Sequence, residues 1–194
     1  MGRPVKTSHD EIEQVAFRLF AEHGFAETTV DAIAAEVGIG RRTLFRYYES
    51  KNDIPWGRFD ESLDHFRAIL ADTPDSVPLH QAIHEGVLQF NDFGADSMRQ
   101  HRQRMSLILS TPALQAHSVL RYAQWRGVIA DHVAAREGLS PDDLLPVTVG
   151  HASLAIALSA YEFWLAHESS DLLEVLDASM SGLRDYLRPA PSDG

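Results

Sequence analysis

Apolar residues recur along this chain with the spacing of amphipathic helices. Ile12, Val15, Ala16, Leu19 and Phe20 follow an i, i+3, i+4 rhythm. Ser8, with Glu11 three residues on, supplies a capping box ahead of them, and Gly24 closes the run. Thr28 caps a second helix in this reading, with Asp31 at its third position and Val30, Ile33, Ala34 and Val37 on its apolar side. Gly38 stops it. A short third helix is predicted from about Arg41 to Tyr48, and a fourth, capped by Ser50 and Asp53, to about Leu70. The two prolines in Asp72–Pro78 mark a loop. Helical stretches follow at about 79–92, 97–110 and 112–136. Ser140-Pro141-Asp142-Asp143 reads as a helix start, opening a segment to about Ala166 that is apolar on most sides. A last helix spans about 171–187. Strand and hairpin signals are nearly absent. The expectation is an all-α chain of about nine helices, divided near residue 52.

Composition narrows the function. The 194 residues contain no cysteine, which excludes disulfide frameworks, thiolate metal sites and cysteine nucleophiles and suits a reducing cytoplasm. No run of 18 apolar residues is found, so no membrane span is expected, and the polar N-terminus lacks the apolar stretch of a secretory signal. P-loop, dinucleotide-fold and nucleophile-elbow motifs are missing, so no enzyme is expected. His80 and His84 stand one helical turn apart beside Glu85, but no third ligand is evident and no metal site is expected.

The net charge of −11 argues against a nucleic-acid partner for the chain as a whole, but its distribution argues otherwise. Residues 1–52 are close to neutral, at −1, and the remainder carries −10. Arg41, Arg42, Arg46 and Lys51 form a basic cluster just past Gly38-Ile39-Gly40. Two short helices joined by a tight Gly-containing turn outline a helix-turn-helix. A 100° step puts Leu44 and Tyr48 on one side of the third helix and Arg42 and Arg46 on the other. Arginine there suits the O6/N7 edge of guanine, worth about 1–3 kcal/mol of discrimination. Thr29, Thr43, Tyr47 and Lys51 are phosphate candidates on this reading.

The stretch FAETTVDAIAAEVGIGRRTLFRYYESKNDI resembles the DNA-binding domain of TetR-family transcriptional regulators. The residues that carry the likeness are Phe25, Thr28, Thr29, Val30, Ile33, Ala34, Val37, Gly38, Ile39, Thr43, Leu44, Phe45, Tyr47, Tyr48, Ser50 and Lys51. Three positions depart from the usual pattern. Gly40 replaces a capping Ser. Phe45 replaces Tyr, which leaves packing or a thymine methyl as its role, and Tyr47 replaces His. The resemblance implies a DNA-binding domain at 1–52, with its motif at about 30–49, and a ligand-sensing, dimerising domain at 53–194. The DNA contacts it implies are Thr29, Arg41, Arg42, Thr43, Phe45, Arg46, Tyr47 and Lys51. Arg3, in a Gly-Arg-Pro arm, is a candidate for a minor groove.

In the body, the helices at about 144–165 and 171–187 are the expected homodimer faces. A twofold dimer would place two reading helices about one DNA turn apart, ~34–36 Å, on a palindromic operator. Phe66, Phe90, Phe93, Met105, Leu109 and Trp125 could line an apolar effector pocket, with Arg102 and Arg121 for an anionic head group. The runs RRTLFRYYESKNDIPWGRFD, RMSLILSTPALQAHS and ALSAYEFWL look similar to TetR-type regulators of mycofactocin clusters in actinobacteria. That likeness implies a repressor of such a cluster, released by a long-chain acyl-CoA, with no other cofactor. The alternatives are a TetR-type regulator of another operon with an unrelated apolar effector, and a helical adaptor that binds no DNA.

Overall fold

The computed structural model describes residues 7–187, which contain nine α-helices and one 3₁₀ segment. They are α1 His9–His23, α2 Val30–Val37, α3 Arg41–Leu44, the 3₁₀ segment Lys51–Trp56, α4 Phe59–Ala71, α5 Leu79–Phe90, α6 Gly94–Ser110, α7 Pro112–Glu137, α8 Leu144–Ala166 and α9 Leu172–Tyr186. The chain packs into two compact units. One holds the residues up to Phe59 together with Gln103–Ser118, and the other holds Asp60–Arg102 together with Val119 onward. The cut by packing therefore differs from the sequence expectation near residue 52: the last turns of α6 and the first turns of α7 belong with the helix-turn-helix.

In the first unit α1 packs on α2, α2 on α3, and α1 on the 3₁₀ segment. Ile12, Ala16, Ile33, Leu44, Ile54 and Leu114 are fully or almost fully buried there. Each of these Ile and Leu side chains contributes about 1.5–3 kcal/mol by leaving water. Ser8 caps α1 by accepting from the Glu11 amide, as expected. The cap of α2 is Thr29 and not Thr28: the Thr29 hydroxyl accepts from the Ala32 amide at 3.1 Å. Thr28 is buried, and its hydroxyl is directed to the carbonyls of Gly24 and Leu19 at the end of α1. The neighbouring threonines thus divide two jobs that the pattern assigned to one.

The second unit is built around Leu63, Phe66, Val87, Ile129, Val133, Trp164, Leu172 and Leu176. Here α8 packs on α9 and α5 on α9. A Cβ on Gly150 would stand 2.9 Å from the Arg126 carbonyl oxygen, so α8 passes α7 at backbone distance. The expected start of α8 at Ser140 shifts to Leu144, after the N-cap Asp143. Ser140–Asp143 is a turn, closed by the Asp143 amide on the Ser140 carbonyl and by the Ser140 amide on the Asp143 carboxylate. α8 is long and apolar enough to cross a bilayer by length and composition, which the residue count had not anticipated. Only a third of its most apolar window is buried within the chain. Leu144, Leu145, Val147 and Phe163 on α8 lie exposed, as do Leu183 and Tyr186 on α9 and Leu187 just past its end.

Candidate nucleic-acid interface

The reading helix is positioned by a turn that only glycine forms without strain. Gly38 adopts φ +79°, the left-handed region that costs other residues a Cβ clash. Its amide bonds the Ala35 carbonyl, and the Ile39 amide bonds the Ala34 carbonyl at 2.9 Å. This is a Schellman closure, which satisfies the last carbonyls of α2 and reverses the chain. Gly40 then opens α3 with no side-chain cap, as its missing hydroxyl leads one to expect. Regular α-helix covers only Arg41–Leu44, shorter than the expected Arg41–Tyr48. The backbone stays coiled beyond it through bonds from Arg46 to Thr43 and from Tyr47 and Tyr48 to Leu44, so the side-chain phase persists.

That phase divides α3 and its extension as read from the sequence. Leu44 is fully buried and Tyr48 is 4% exposed. Arg41, Arg42, Phe45 and Arg46 are exposed, with Thr43 and Tyr47 half-buried on the flanks. Arg42 and Arg46 make no ion pair with any described residue. Arg41 donates to the Asp31 carboxylate at 2.9 Å, and its guanidinium lies 5.5 Å from the Phe45 ring centre.

Two residues read as phosphate contacts have their donors engaged within the chain. The Lys51 ammonium gives its three donors to the carbonyls of Phe25, Ala26 and Thr28, at 2.7, 3.2 and 2.8 Å, and sits over the Phe25 ring. Burial draws its pKa below the ordinary lysine value, with Glu27 opposing. Lys51 thus clamps the α1–α2 connection, with its three donors engaged on carbonyls of the chain. The Tyr47 hydroxyl donates to the Thr7 carbonyl at 2.7 Å, so its proton is likewise committed. Thr29 remains exposed, its hydroxyl oxygen already accepting from α2. Arg3 lies outside the described residues.

Below this surface is a buried polar network that the sequence reading did not single out. Glu13 is 6% exposed. It accepts from the Tyr48 hydroxyl at 2.9 Å and pairs with Arg104 of α6, which also donates to the Pro55 carbonyl. Burial and the Glu13 charge push the Tyr48 pKa up, so its hydroxyl stays protonated and donates. Gly57, at φ +58°, lies against this pair: a Cβ there would come within 2.9 Å of a Glu13 oxygen. It also breaks the predicted fourth helix into the 3₁₀ segment and α4. Asp53, also buried, accepts from Ser50 at 2.7 Å and meets His117 of α7 at 2.8 Å. A signal for Glu13 existed, because it shares the buried face of α1 with Ala16 and Phe20 at i+3 and i+7. Its partners Tyr48 and Arg104, 35 and 91 residues away, had none.

The predicted effector residues separate. Phe66, Phe90 and Trp125 form one aromatic cluster, with Phe66 4.7 Å from Phe90 and 5.4 Å from Trp125. Phe93 stacks on His101 at 3.9 Å. Met105 and Leu109 fall on the part of α6 that belongs to the DNA-binding unit. Arg102 is committed to the Trp164 carbonyl at 2.9 Å and lies 4.0 Å over its ring, and Arg121 is held near Asp60. A buried polar chain runs beside them. The Tyr161 hydroxyl donates to Asn91 at 2.6 Å, so the His101 Nε2, 2.7 Å from the same oxygen, is the donor on that side. His84, considered for a metal, bonds Asp177 at 2.8 Å.

The profile of bacterial regulatory proteins of the tetR family matches residues 12–54, and that of the MftR C-terminal domain matches residues 77–188. A relative from Mycobacterium tuberculosis, MftR, is named as a mycofactocin biosynthesis transcriptional regulator. It is 47% identical over 179 residues, covering 92% of this chain and 90% of its own. Among solved structures, Thermus thermophilus FadR, a TetR-family repressor in complex with lauroyl-CoA, aligns with a TM-score of 0.58 at 20% identity, over 96% of this chain and 100% of that one. The fatty acid degradation regulator FadR of Bacillus halodurans aligns with a TM-score of 0.66 at 14% identity, over 93% and 100%. At those identities the two structures speak for the fold. The family profiles and the 47% relative speak for more: this chain belongs to the TetR family of transcriptional regulators, a non-enzymatic family, and carries the MftR C-terminal domain.

Proposed function

We propose that the protein is a cytoplasmic repressor that binds a palindromic operator as a homodimer and controls a mycofactocin gene cluster, and that a long-chain acyl-CoA releases it. The observation that carries DNA reading is the outward set Arg41, Arg42, Phe45 and Arg46, on a segment whose inward Leu44 and Tyr48 are fixed in the core. Arg42 and Arg46 reach bases or phosphates, Arg41 and Phe45 reach bases, and Thr29 and Thr43 supply hydroxyls to phosphates. Tyr47 and Lys51 act from behind by holding the segment in place. Arg3 is the candidate for the minor groove.

The homodimer reading rests on α8 and α9. Their outward apolar side chains need a cover, and a second copy of the same two helices meets that need by twofold symmetry. The operon and effector rest on the relatives: MftR is named for mycofactocin biosynthesis, and a FadR of the same family holds lauroyl-CoA. Phe66, Phe90, Phe93 and Trp125 would meet an acyl chain. Arg102 and Arg121 would first have to leave Trp164 and Asp60 to meet phosphates. The effector must bind the DNA-free form more tightly, since equal affinity for both forms shifts nothing. Chain continuity offers it three routes to the DNA-binding unit: α4 through Gly57, α6 and α7.

The test is fluorescence anisotropy with a labelled duplex from upstream of the chain's own gene. Binding that weakens steeply with salt, and release by lauroyl-CoA but not by free coenzyme A, are expected. Binding that ignores salt would contradict DNA reading. Release by neither compound would contradict the acyl-CoA assignment alone.

A further inference from the structure

Resting on the reading of α3 as the groove helix, we infer that Asp31, Arg41 and Phe45 form one reading unit that recognises a guanine beside a thymine, with Asp31 as its positioning residue. Three arginines face outward from this segment, and among the described residues Arg41 alone of them has an ion-pair partner. Its Nη1 donates to the Asp31 carboxylate at 2.9 Å, and its guanidinium carbon lies 5.5 Å from the Phe45 ring centre. Arg41 and Phe45 are four residues apart on one face, and the Phe45 amide closes that turn on the Arg41 carbonyl at 3.1 Å. Asp31 reaches in from the first turn of α2, whose far end is tied to α3 by the Gly38 closure. The guanidinium is thus gripped from two elements.

Both members of the ion pair are about 60% exposed, at 60% and 62%. Such a pair contributes little to folding in water. Its effect appears in a groove that displaces water, where the attraction is less screened and the side chain no longer has rotamer freedom to lose. Arg41 uses one donor on Asp31 and keeps enough of the other four to bond guanine N7 and O6 together. Phe45, 39% exposed and adjacent to the guanidinium, offers an apolar edge. The apolar feature of the major groove is the thymine C5-methyl. A guanidinium tethered by Asp31 next to an apolar ring therefore reads two neighbouring bases as one step.

The test uses the full-length protein and the duplex it enriches most strongly from a random pool, remade with deoxyuridine for thymine or 7-deazaguanine for guanine at the Gly-turn-proximal step. Loss of the methyl is expected to lower wild-type affinity about fourfold, the effect of one buried methyl group, and to leave the Phe45→Ala variant unaffected. Asp31→Asn should lose most of the preference for guanine over 7-deazaguanine, Asp31→Glu should keep part of it, and Asp31→Asn should change nothing further on top of Arg41→Ala. Circular dichroism and melting curves confirm that the variants fold. An equal deoxyuridine penalty in wild type and Phe45→Ala, or an undiminished guanine preference in Asp31→Asn, would overturn the unit while leaving α3 as the reading element. Failure to enrich any duplex would overturn both.

Discussion

The two units of this chain use polar and apolar groups in opposite ways. In the DNA-binding unit, charged groups are drawn inside: Glu13 with Arg104 and Tyr48, Asp53 with His117, and Lys51 on three carbonyls. Its outward surface on α3 is left to arginines. In the second unit a short polar chain, Asn91–Tyr161–His101, runs inside, and the unusual feature is outward apolar surface on α8 and α9. Buried, directional contacts specify one arrangement of short helices that have little core of their own. Exposed apolar helix faces specify a partner. On the proposed reading, the first unit holds its shape against a rigid duplex and the second is completed by another copy of the chain.

The largest effect expected from breaking this contrast is at the apolar face. Phe163→Glu combined with Leu183→Glu should give a folded monomer by sedimentation, with affinity for a palindromic duplex down by roughly 100-fold or more as the two half-sites stop acting together. A dimer that survives both changes would remove the proposed interface. Next is the buried pair. Glu13→Ala leaves Arg104 buried without its carboxylate and should cost about 3–5 kcal/mol in chemical denaturation. The double variant Glu13→Leu, Arg104→Met should recover most of that loss.

Lys51→Ala removes three charge-assisted bonds and should cost about 2 kcal/mol of stability. It should weaken binding to every duplex equally with an unchanged salt slope, whereas a direct phosphate contact would lower the slope by about one. Thr29→Ala removes the α2 cap and should cost about 1 kcal/mol. The smallest effect lies in the second unit. Burial, and secondarily Arg136, hold the His132 pKa below the ordinary histidine value. The unfolded chain therefore takes up this proton at higher pH than the folded one, so stability falls as pH drops through the ordinary histidine range and levels off below the lowered value. His132→Gln should flatten that part of a plot of Tm against pH.

Much of this was legible in the sequence because helical periodicity is local. The phase of α3 follows from a 100° step, so Leu44 and Tyr48 inward and Arg42 and Arg46 outward needed no tertiary information. The glycine turn was legible for the same reason. Exact caps were not: Thr28 and Thr29 are both good caps, and only the carbonyls at the end of α1 decide which hydroxyl turns inward. Nor was the fate of Lys51 and Tyr47, since both carry groups suited to phosphate and the carbonyls that claim them come from other segments. The effector residues were least legible. An aromatic on a helix face reads the same whether it packs against Trp125 or a ligand, and Arg102 gives no local sign that Trp164 holds it. α8 shows the converse. Its apolar character on most sides is plain in the sequence, but one third burial becomes visible only once its neighbours in the same chain are in place.

The most direct test of the central claim is selection of random duplexes by the full-length protein, sequenced alongside the same selection with Arg42→Ala. Enrichment of a palindrome whose half-sites lie about one helical turn apart is expected, with a guanine preference that Arg42→Ala relaxes at one position in each half. Enrichment of no common sequence, or an identical motif from both proteins, would contradict the claim.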